Sequence, residues 1–312
     1  VYNHVDTGIN LIQKYLIENS NSNGIFYNQD NYDNIVCYGT STNNTSIFIN
    51  GSYSSSKSLF TLKANKNYKA KINETYKDGY RLFDTAQMYE NEKDLGDAIK
   101  VNSLPRKDIF IITKVRNSNQ WFYQTINSLN ESLSLLQTTY VDSFLIHWPG
   151  QNKERMISTW KAMEKLYSDG LVRSIGVCNF ERSQLEFLLA NCSIAPMINQ
   201  IEHTPLLHDD NLLKYCHEHN IIVMAWAPIM RGNFSDDKIL KIAEKHQKTP
   251  AQILLRWNVQ LGIVPIPKSK NPQRILENIS IFDFKLDDED MNILNNMNIN
   301  KRTSHDPLTY DF

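Results

Sequence analysis

Residues 108–148 read DIFIITKVRNSNQWFYQTINSLNESLSLLQTTYVDSFLIHW, and this stretch holds one full repeat of the pattern on which the architecture is built. A short β-branched run, Ile109–Lys114, precedes a segment with the period of a helix, Gln120–Leu136. A second short apolar run, Ser143–His147, follows. Two strands joined by a helix lie parallel, with a right-handed crossover. The stretch therefore predicts one βαβ unit.

The alternation continues from about residue 70 onward. Short apolar runs predict seven strands, at Arg81–Phe83, Ile109–Lys114, Ser143–His147, Arg173–Val177, Met197–Gln200, Ile221–Ala225 and Val264–Pro267. Helical periods lie beside them, at Asn65–Asp78, Gln120–Leu136, Met156–Asp169, Arg182–Asn191, Asp210–Asn220 and Asp236–Val259. An (α/β)8 TIM barrel needs an eighth strand, for which Asn34–Thr40 is the best candidate. The 312 residues suit one barrel of about 250 residues with extensions.

Two polar segments fall outside this pattern. Residues 1–33 are rich in asparagine and predict an N-terminal extension of unclear structure, followed by the barrel over residues 34–312. Within the barrel, residues 41–64 are rich in serine and asparagine and have no clean period. They predict a low-complexity insert or a long loop.

The competing architecture is an open, doubly wound sheet. Its first turn normally carries G-x-G-x-x-G, and none of the eleven glycines is spaced that way. The sequence also has no G-x-x-x-x-G-K-[ST], no H-E-x-x-H and no G-x-S-x-G. These absences weaken the dinucleotide-fold, P-loop, zinc-protease and serine-hydrolase interpretations.

Charge and composition point away from several partners. The formal net charge of -1 gives no reason to expect nucleic acid or an anionic membrane as a partner. No apolar run reaches the ~18 residues of a membrane span. The four cysteines, Cys37, Cys178, Cys192 and Cys216, form no CxxC pair, which favours reduced thiols in a cytoplasmic protein.

Four polar residues follow predicted strands and together form a set of acid–base groups. Asp84 and Tyr89 come after the first strand, Lys114 ends the second and His147 ends the third. Barrel enzymes keep their chemistry at these strand ends. A lysine ammonium beside a phenol stabilises phenolate and lowers its pKa, so Tyr89 could move a proton to or from a carbonyl oxygen. Taken singly, each residue could equally be structural, for example as an Asp84–Lys114 ion pair.

The same segments resemble the aldo-keto reductase family. The resemblance rests on ordered matches from about residue 66 to the C-terminus: DTAQMYENE at 84–92, IITKV at 111–115, LIHWP at 145–149, GVCNF at 176–180, NQIE at 199–202, AWAP at 225–228 and IPKS at 266–269. The closing segment KRTSHDP at 301–307 resembles the tails of the short-loop, prokaryotic-type members.

The resemblance implies an NADPH-dependent enzyme that reduces aldehydes or reactive dicarbonyls. In the family, the side chains at the positions of Asp84, Tyr89, Lys114 and His147 are catalytic, with the tyrosine as proton donor. Cofactor-binding positions would be Gly39, Thr40, Cys178, Asn179, Gln200, Trp226, Lys268, Ser269, Arg274, Glu277 and Asn278. Among them, the amides would hold the nicotinamide carboxamide, Trp226 would stack on its ring, and Lys268, Ser269 and Arg274 would hold the 2′-phosphate. Glu277 and Asn278 would face the adenine.

Some positions depart from the family pattern. Cys178 stands where a serine usually precedes the asparagine, and Arg116 where many members place an aromatic residue in the substrate pocket. Trp148 remains as a pocket residue. We expect a monomer whose partner is a small-molecule carbonyl compound, and no metal, since Cys216, His217 and His219 on one helical turn do not all point inward.

Two other functions stay open on the sequence alone. A barrel that binds NADPH could serve as a regulatory or interaction subunit with little catalysis. Lys114 could instead form a Schiff base, as in an aldolase, although nothing beyond the lysine indicates it.

Overall fold

The computed structural model describes residues 66–312 of the chain. The predicted extension at residues 1–33, the strand Asn34–Thr40 with Gly39 and Thr40, and the insert at 41–64 lie outside the described residues.

Seven parallel strands form one sheet in chain order within the described residues. They are β1 (Leu82–Asp84), β2 (Phe110–Val115), β3 (Ser143–Ile146), β4 (Ile175–Cys178), β5 (Ile198–Glu202), β6 (Ile222–Trp226) and β7 (Val264–Ile266). Each of the seven strands predicted after residue 80 lies within about two residues of an observed one. Because all the strands run the same way, their carboxyl ends lie together at one end of the sheet.

Helices cover the outside of this sheet. They are α1 (Lys66–Lys77), α2 (Glu92–Val101), α3 (Phe122–Leu136), α4 (Lys153–Ser168), α5 (Arg182–Leu189), α6 (Asp210–Glu218), α7 (Asp237–His246), α8 (Pro250–Gln260), α9 (Pro272–Ile279) and α10 (Asp288–Asn295). None of the helices in this part of the chain is both long and apolar enough to cross a bilayer.

One predicted helix, Asp236–Val259, is wrong as a single element, because α7 and α8 are separate. The chain turns at Gln247, whose φ of 53° is left-handed. The Thr249 hydroxyl then accepts a hydrogen bond from the Gln252 N–H, and Pro250 occupies the first turn of α8. A proline has no N–H to donate to the preceding turn, so it begins a helix more readily than it continues one. Apolar periodicity does not reveal this break.

The sheet and the helices enclose a core of aliphatic and aromatic side chains. Close packing of the strands depends on Gly176 in β4. A Cβ at that position would lie 2.6 Å from the Ile198 carbonyl oxygen in β5 and 2.8 Å from the Leu145 side chain in β3. The glycine therefore lets β4 fit between its neighbours and places Cys178 at the carboxyl end of the barrel.

Candidate active site

Asp84 and Lys114 form a buried ion pair at the carboxyl ends of β1 and β2. The Lys114 Nζ donates to the two Asp84 carboxylate oxygens at 2.5 and 2.6 Å and to the Thr85 carbonyl at 2.9 Å. Both side chains are fully buried. Burial by itself lowers the pKa of Lys114, but the charge and hydrogen bonds of Asp84 outweigh it and raise the pKa above the ordinary value. Lys114 is therefore a protonated ammonium group, fixed in place by Asp84.

Tyr89 lies beside this pair, on a short 3₁₀ turn that follows β1. Its hydroxyl oxygen is 3.5 Å from the Lys114 Nζ, which also lies 4.9 Å from the ring centroid. Burial raises the pKa of Tyr89 to about 12, Lys114 pulls it down, and Asp84 cancels part of that pull. Lys114 does favour the phenolate, as expected from the sequence. The expectation that the pKa of Tyr89 is lowered is nevertheless wrong, because burial has the larger effect and raises it.

His147 follows β3 and completes the group. Its ring meets the Tyr89 ring edge-on, with centroids 5.5 Å apart. Burial, followed by the Lys114 charge, lowers the pKa of His147 to about 3, so the imidazole is neutral at ordinary pH. Its Nδ1 is buried without a hydrogen-bond partner in the part of the chain that the structure describes. An N–H there would have no acceptor, so the proton is better placed on Nε2.

The ends of β4, β5 and β6 bring the predicted nicotinamide-binding residues to the same centre. The Trp226 indole N–H donates to Asn179 Oδ1 at 2.8 Å, and Asn179 has a left-handed φ of 62°. Gln200 Nε2 donates to Asp84 Oδ2 at 2.8 Å. Cys178 Sγ lies 3.7 Å from Gln200 Oε1, and burial raises the pKa of this thiol.

The predicted phosphate-binding residues lie where β7 leads into α9. Asn271 caps α9 and accepts from the backbone N–H groups of Gln273 at 2.9 Å and Arg274 at 3.3 Å. Lys268 and Arg274 are exposed around this helix start, and Ser269 is partly exposed. Partial burial lowers the pKa of Lys268. A cationic helix start of this kind suits a phosphate group.

The two residues predicted to face the adenine differ in their surroundings. The Glu277 carboxylate accepts a hydrogen bond of 2.6 Å from the Thr249 hydroxyl at the start of α8. Asn278 is buried, at 3% exposure. Glu277 thus has a structural contact that the sequence did not indicate.

The predicted substrate residues follow neighbouring strands, Arg116 after β2 and Trp148 after β3. Arg116 is 3.6 Å from Glu90, and both side chains are well exposed, at 39% and 54%. Trp148 is buried beneath the chain's last segment, with its ring 5.0 Å from that of Tyr310 and 5.9 Å from that of His305. The rings of His305 and Tyr310 are themselves stacked at 4.2 Å.

The last segment is a part of the site that sequence reasoning missed. Thr303 donates to the Glu202 carboxylate at the end of β5 from both its backbone N–H and its hydroxyl. Arg302 pairs with Glu181 at 2.6 Å, and Arg155 donates to the Phe312 carbonyl at 2.7 Å. The sequence signal for this segment was the match of residues 301–307 to the tails of the short-loop family members, which did not show that the segment packs on the site.

The model of the Aldo/keto reductase family matches residues 48–299. The chain belongs to this family. It is 45% identical over 235 residues to the 9,11-endoperoxide prostaglandin H2 reductase of Trypanosoma cruzi, covering 73% of this chain and 82% of that one. It is 45% identical over 232 residues to the glyoxal reductase of Bacillus subtilis, covering 74% and 83%. The methylglyoxal reductase DkgA of Yersinia pestis is 40% identical over 235 residues, covering 74% and 84%.

Solved structures agree with this assignment. The aldo-keto reductase MGS-M4 from a Medee basin deep-sea metagenome library superposes with a TM-score of 0.79 at 37% identity, covering 86% of this chain and 98% of that one. A mutant of Gox0644 in complex with NADPH gives a TM-score of 0.78 at 36% identity, covering 85% and 94%. The predicted (α/β)8 barrel and the predicted oxidoreductase class are confirmed, and the predicted cofactor is the one crystallised with the Gox0644 mutant.

Some predictions stay predictions. They are the monomeric state, the cytoplasmic location and the lack of nucleic-acid and membrane partners.

Cys178, Cys192 and Cys216 are free thiols, and Cys37 lies outside the described residues. Cys216 is buried against Asn199, while His219 stacks on Tyr215 with ring centroids 4.1 Å apart.

Proposed function

We propose that this chain reduces small aldehydes and reactive dicarbonyls to alcohols with NADPH, and that Tyr89 donates the proton. The observation that carries the proposal is the convergence of three groups from separate strand ends. The Tyr89 hydroxyl lies 3.5 Å from the Lys114 ammonium, and its ring meets that of His147.

The chemistry of the surrounding residues fits NADPH. Trp226 offers a flat, partly exposed indole, and the amides of Asn179 and Gln200 stand at neighbouring strand ends. Lys268, Ser269 and Arg274 would hold a 2′-phosphate through charge-assisted hydrogen bonds. Asn278 stays a proposed adenine contact. Glu277 would contact the adenine either with its bond to Thr249 intact or after exchanging that bond for one to the adenine. When bound, NADPH supplies the hydride, which no side chain can supply.

The chain's own residues supply the proton. The raised pKa keeps Tyr89 protonated at neutral pH, as a proton donor to a carbonyl oxygen must be. The Lys114 ammonium stabilises the phenolate left behind. His147, neutral and with its proton on Nε2, donates a hydrogen bond that orients the carbonyl without competing as an acid. Asp84 holds Lys114 in place.

The Schiff-base alternative is disfavoured by the state of Lys114. A lysine must be an unprotonated amine to attack a carbonyl carbon. Here the amine is fully buried, faces three oxygen acceptors within 2.9 Å, and has a raised pKa. Burial alone would favour the neutral amine, but the charge and hydrogen bonds of Asp84 outweigh it and keep Lys114 as the ammonium.

The test is a steady-state assay of NADPH and NADH oxidation with glyoxal, methylglyoxal and a panel of aliphatic and aromatic aldehydes. We expect turnover of the small carbonyls, with NADPH preferred. A protein that binds NADPH tightly, as measured by fluorescence titration, but oxidises it with none of these compounds would instead be the regulatory barrel.

A further inference from the structure

Gln200 contacts the catalytic group through a bond that the proposed chemistry does not use. Its Nε2 lies 2.8 Å from Oδ2 of Asp84, and its Oε1 lies 3.7 Å from Sγ of Cys178. All three side chains are at least 98% buried, so water does not compete for these contacts. The chain of contacts runs from β4 through β5 to β1, and from there to Lys114 and Tyr89.

The orientation of the Gln200 amide is determined at both ends. A carboxylate only accepts hydrogen bonds, so the amide must present N–H to Asp84. The amide oxygen then faces Cys178, whose thiol donates to it. Burial keeps that thiol protonated, as its raised pKa shows. A flipped amide would place its oxygen against the carboxylate and its N–H against the thiol, which is the poorer arrangement at both ends.

The Gln200 N–H shares an oxygen with the Lys114 ammonium. Asp84 Oδ2 accepts from Lys114 at 2.6 Å and from Gln200 at 2.8 Å. A neutral donor on the carboxylate offsets part of its negative charge without adding a positive charge of its own. The potential that Asp84 exerts on Tyr89 is therefore weaker than an unassisted carboxylate would give.

We propose that Gln200, oriented by Cys178, is a positioning residue that tunes proton transfer by Tyr89 through Asp84 and Lys114. This proposal rests on the proposed function. It does not compete with cofactor binding, since a glutamine amide has two N–H groups and only one is used on Asp84. The second N–H is available to the nicotinamide carboxamide. The Gln200 side chain would then contact both the cofactor and Asp84, which holds Lys114 beside Tyr89.

The groups that face Tyr89 fix the direction of the effect. Lys114 on β2 favours phenolate, whereas burial and the charge of Asp84 on β1 oppose it. The Cys178 thiol on β4 stays protonated and carries no charge. His147 is neutral, and the rim charges Arg116 and Glu90 are paired with each other. Removing the Gln200 donor leaves more charge on Asp84 and raises the pKa of Tyr89 further. Oxidation of an alcohol needs the phenolate, so its rise with pH moves to higher pH.

The test compares Gln200→Met, which keeps the side-chain length but cannot donate, with Asn179→Gly. Asn179 is the other proposed carboxamide ligand, and glycine tolerates its left-handed φ of 62°. Both variants are expected to bind NADP⁺ more weakly in fluorescence titrations. Only Gln200→Met should shift the pH profile of kcat for alcohol oxidation, by about one unit upward, with about a tenfold lower kcat at neutral pH.

A second variant covers a Gln200→Met protein that does not fold. Cys178→Ala removes only the group that orients the amide and should shift the profile in the same direction by less, while Cys178→Ser should leave it in place. Profiles that stay at the wild-type pH in both Gln200→Met and Cys178→Ala would overturn the proposal. If wild type turns over no carbonyl or alcohol, the proposed function fails by itself. Ultraviolet titration of tyrosinate in the unliganded proteins, each against its Tyr89→Phe double variant, then still measures whether Gln200→Met raises the pKa of Tyr89.

Discussion

The Glu202 carboxylate at the end of β5 accepts the backbone N–H of Thr303 at 3.0 Å, which ties the last segment of the chain to the mouth of the barrel. The same Thr303 hydroxyl accepts from Arg231 in the loop after β6, at 2.9 Å. One threonine thus joins three parts of the rim, and beyond it lie His305 and Tyr310, which cover Trp148.

Replacing Glu202 with Gln should therefore loosen the segment that covers Trp148. Loss of the charge-assisted bonds to Thr303 is expected to raise KM for carbonyl substrates about fivefold to twentyfold, with little change in NADPH affinity. Ser304→Ala, on the same segment and exposed, is the matched control and should leave KM unchanged. Equal KM values for Glu202→Gln and wild type would show that this anchor does not shape the pocket.

Arg274→Ala should weaken NADPH much more than NADH. Arg274 is exposed at the start of α9, and the 2′-phosphate is the group that distinguishes the two cofactors. One charge-assisted hydrogen bond corresponds to a loss of about tenfold or more in NADPH affinity. Fluorescence titration measures this, with the neighbouring Gln273→Ala as control. Equal weakening of both cofactors would show that Arg274 does not bind the 2′-phosphate.

The Arg116–Glu90 pair predicts a change in substrate preference. Exposed pairs such as this one, separated by 3.6 Å, contribute at most ~1 kcal/mol, so the guanidinium can exchange Glu90 for an anionic substrate group. Glu90→Gln should raise kcat/KM for carboxylate-bearing aldehydes relative to aromatic aldehydes, and Arg116→Trp should do the reverse. If both substrate classes change by one common factor in each variant, Arg116 does not select between them.

A buried histidine outside the proposed chemistry predicts acid sensitivity of the fold. Burial lowers the pKa of His203 to about 3, and its Nε2 has no partner within residues 66–312. The unfolded chain takes up a proton below pH ~6.5, whereas the folded chain does so only near pH 3. Stability is therefore complete above pH ~6.5 and falls as the pH drops, by up to about 1.4 kcal/mol per pH unit for this group.

The check is the difference in melting temperature between pH 7.5 and pH 5. His203→Gln keeps a donor for Asn258 Oδ1, which His203 contacts at 2.8 Å, and should lose less stability on acidification than wild type. His217→Gln, at an exposed position, should behave like wild type. An unchanged acid sensitivity in His203→Gln would assign the effect to other groups, such as His147.

Local sequence was enough to predict the seven described strands and the polar residues Asp84, Lys114 and His147 at the ends of the first three. Short, continuous apolar runs are typical of strands that are buried on both faces of a parallel sheet. Lys114 and His147 stand at the ends of two such runs, and this can be seen without knowing their tertiary contacts. The division between α7 and α8 was not visible, because the apolar positions keep a helical spacing across Gln247 and only Pro250 marks the break.

The pKa values of the site residues were harder to predict than which residues come together in the site. Lys114 beside Tyr89 suggested a lowered phenol pKa, but the sign depends on burial and on where Asp84 sits, which no linear spacing reports. Gln200 and Asp84 are separated by 116 positions in the sequence. Glu202 and Thr303 are separated by 101 positions. Such contacts appear only once the barrel has brought the strand ends and the last segment together.

The activity of Tyr89→Phe with NADPH and a small aldehyde, set beside its NADPH affinity, decides whether Tyr89 is the proton donor. We expect a fall in kcat of about a hundredfold or more, with NADPH affinity within about twofold of wild type, because only the proton donor is removed. A variant that keeps more than about a tenth of wild-type kcat would contradict the assignment of Tyr89 as the proton donor.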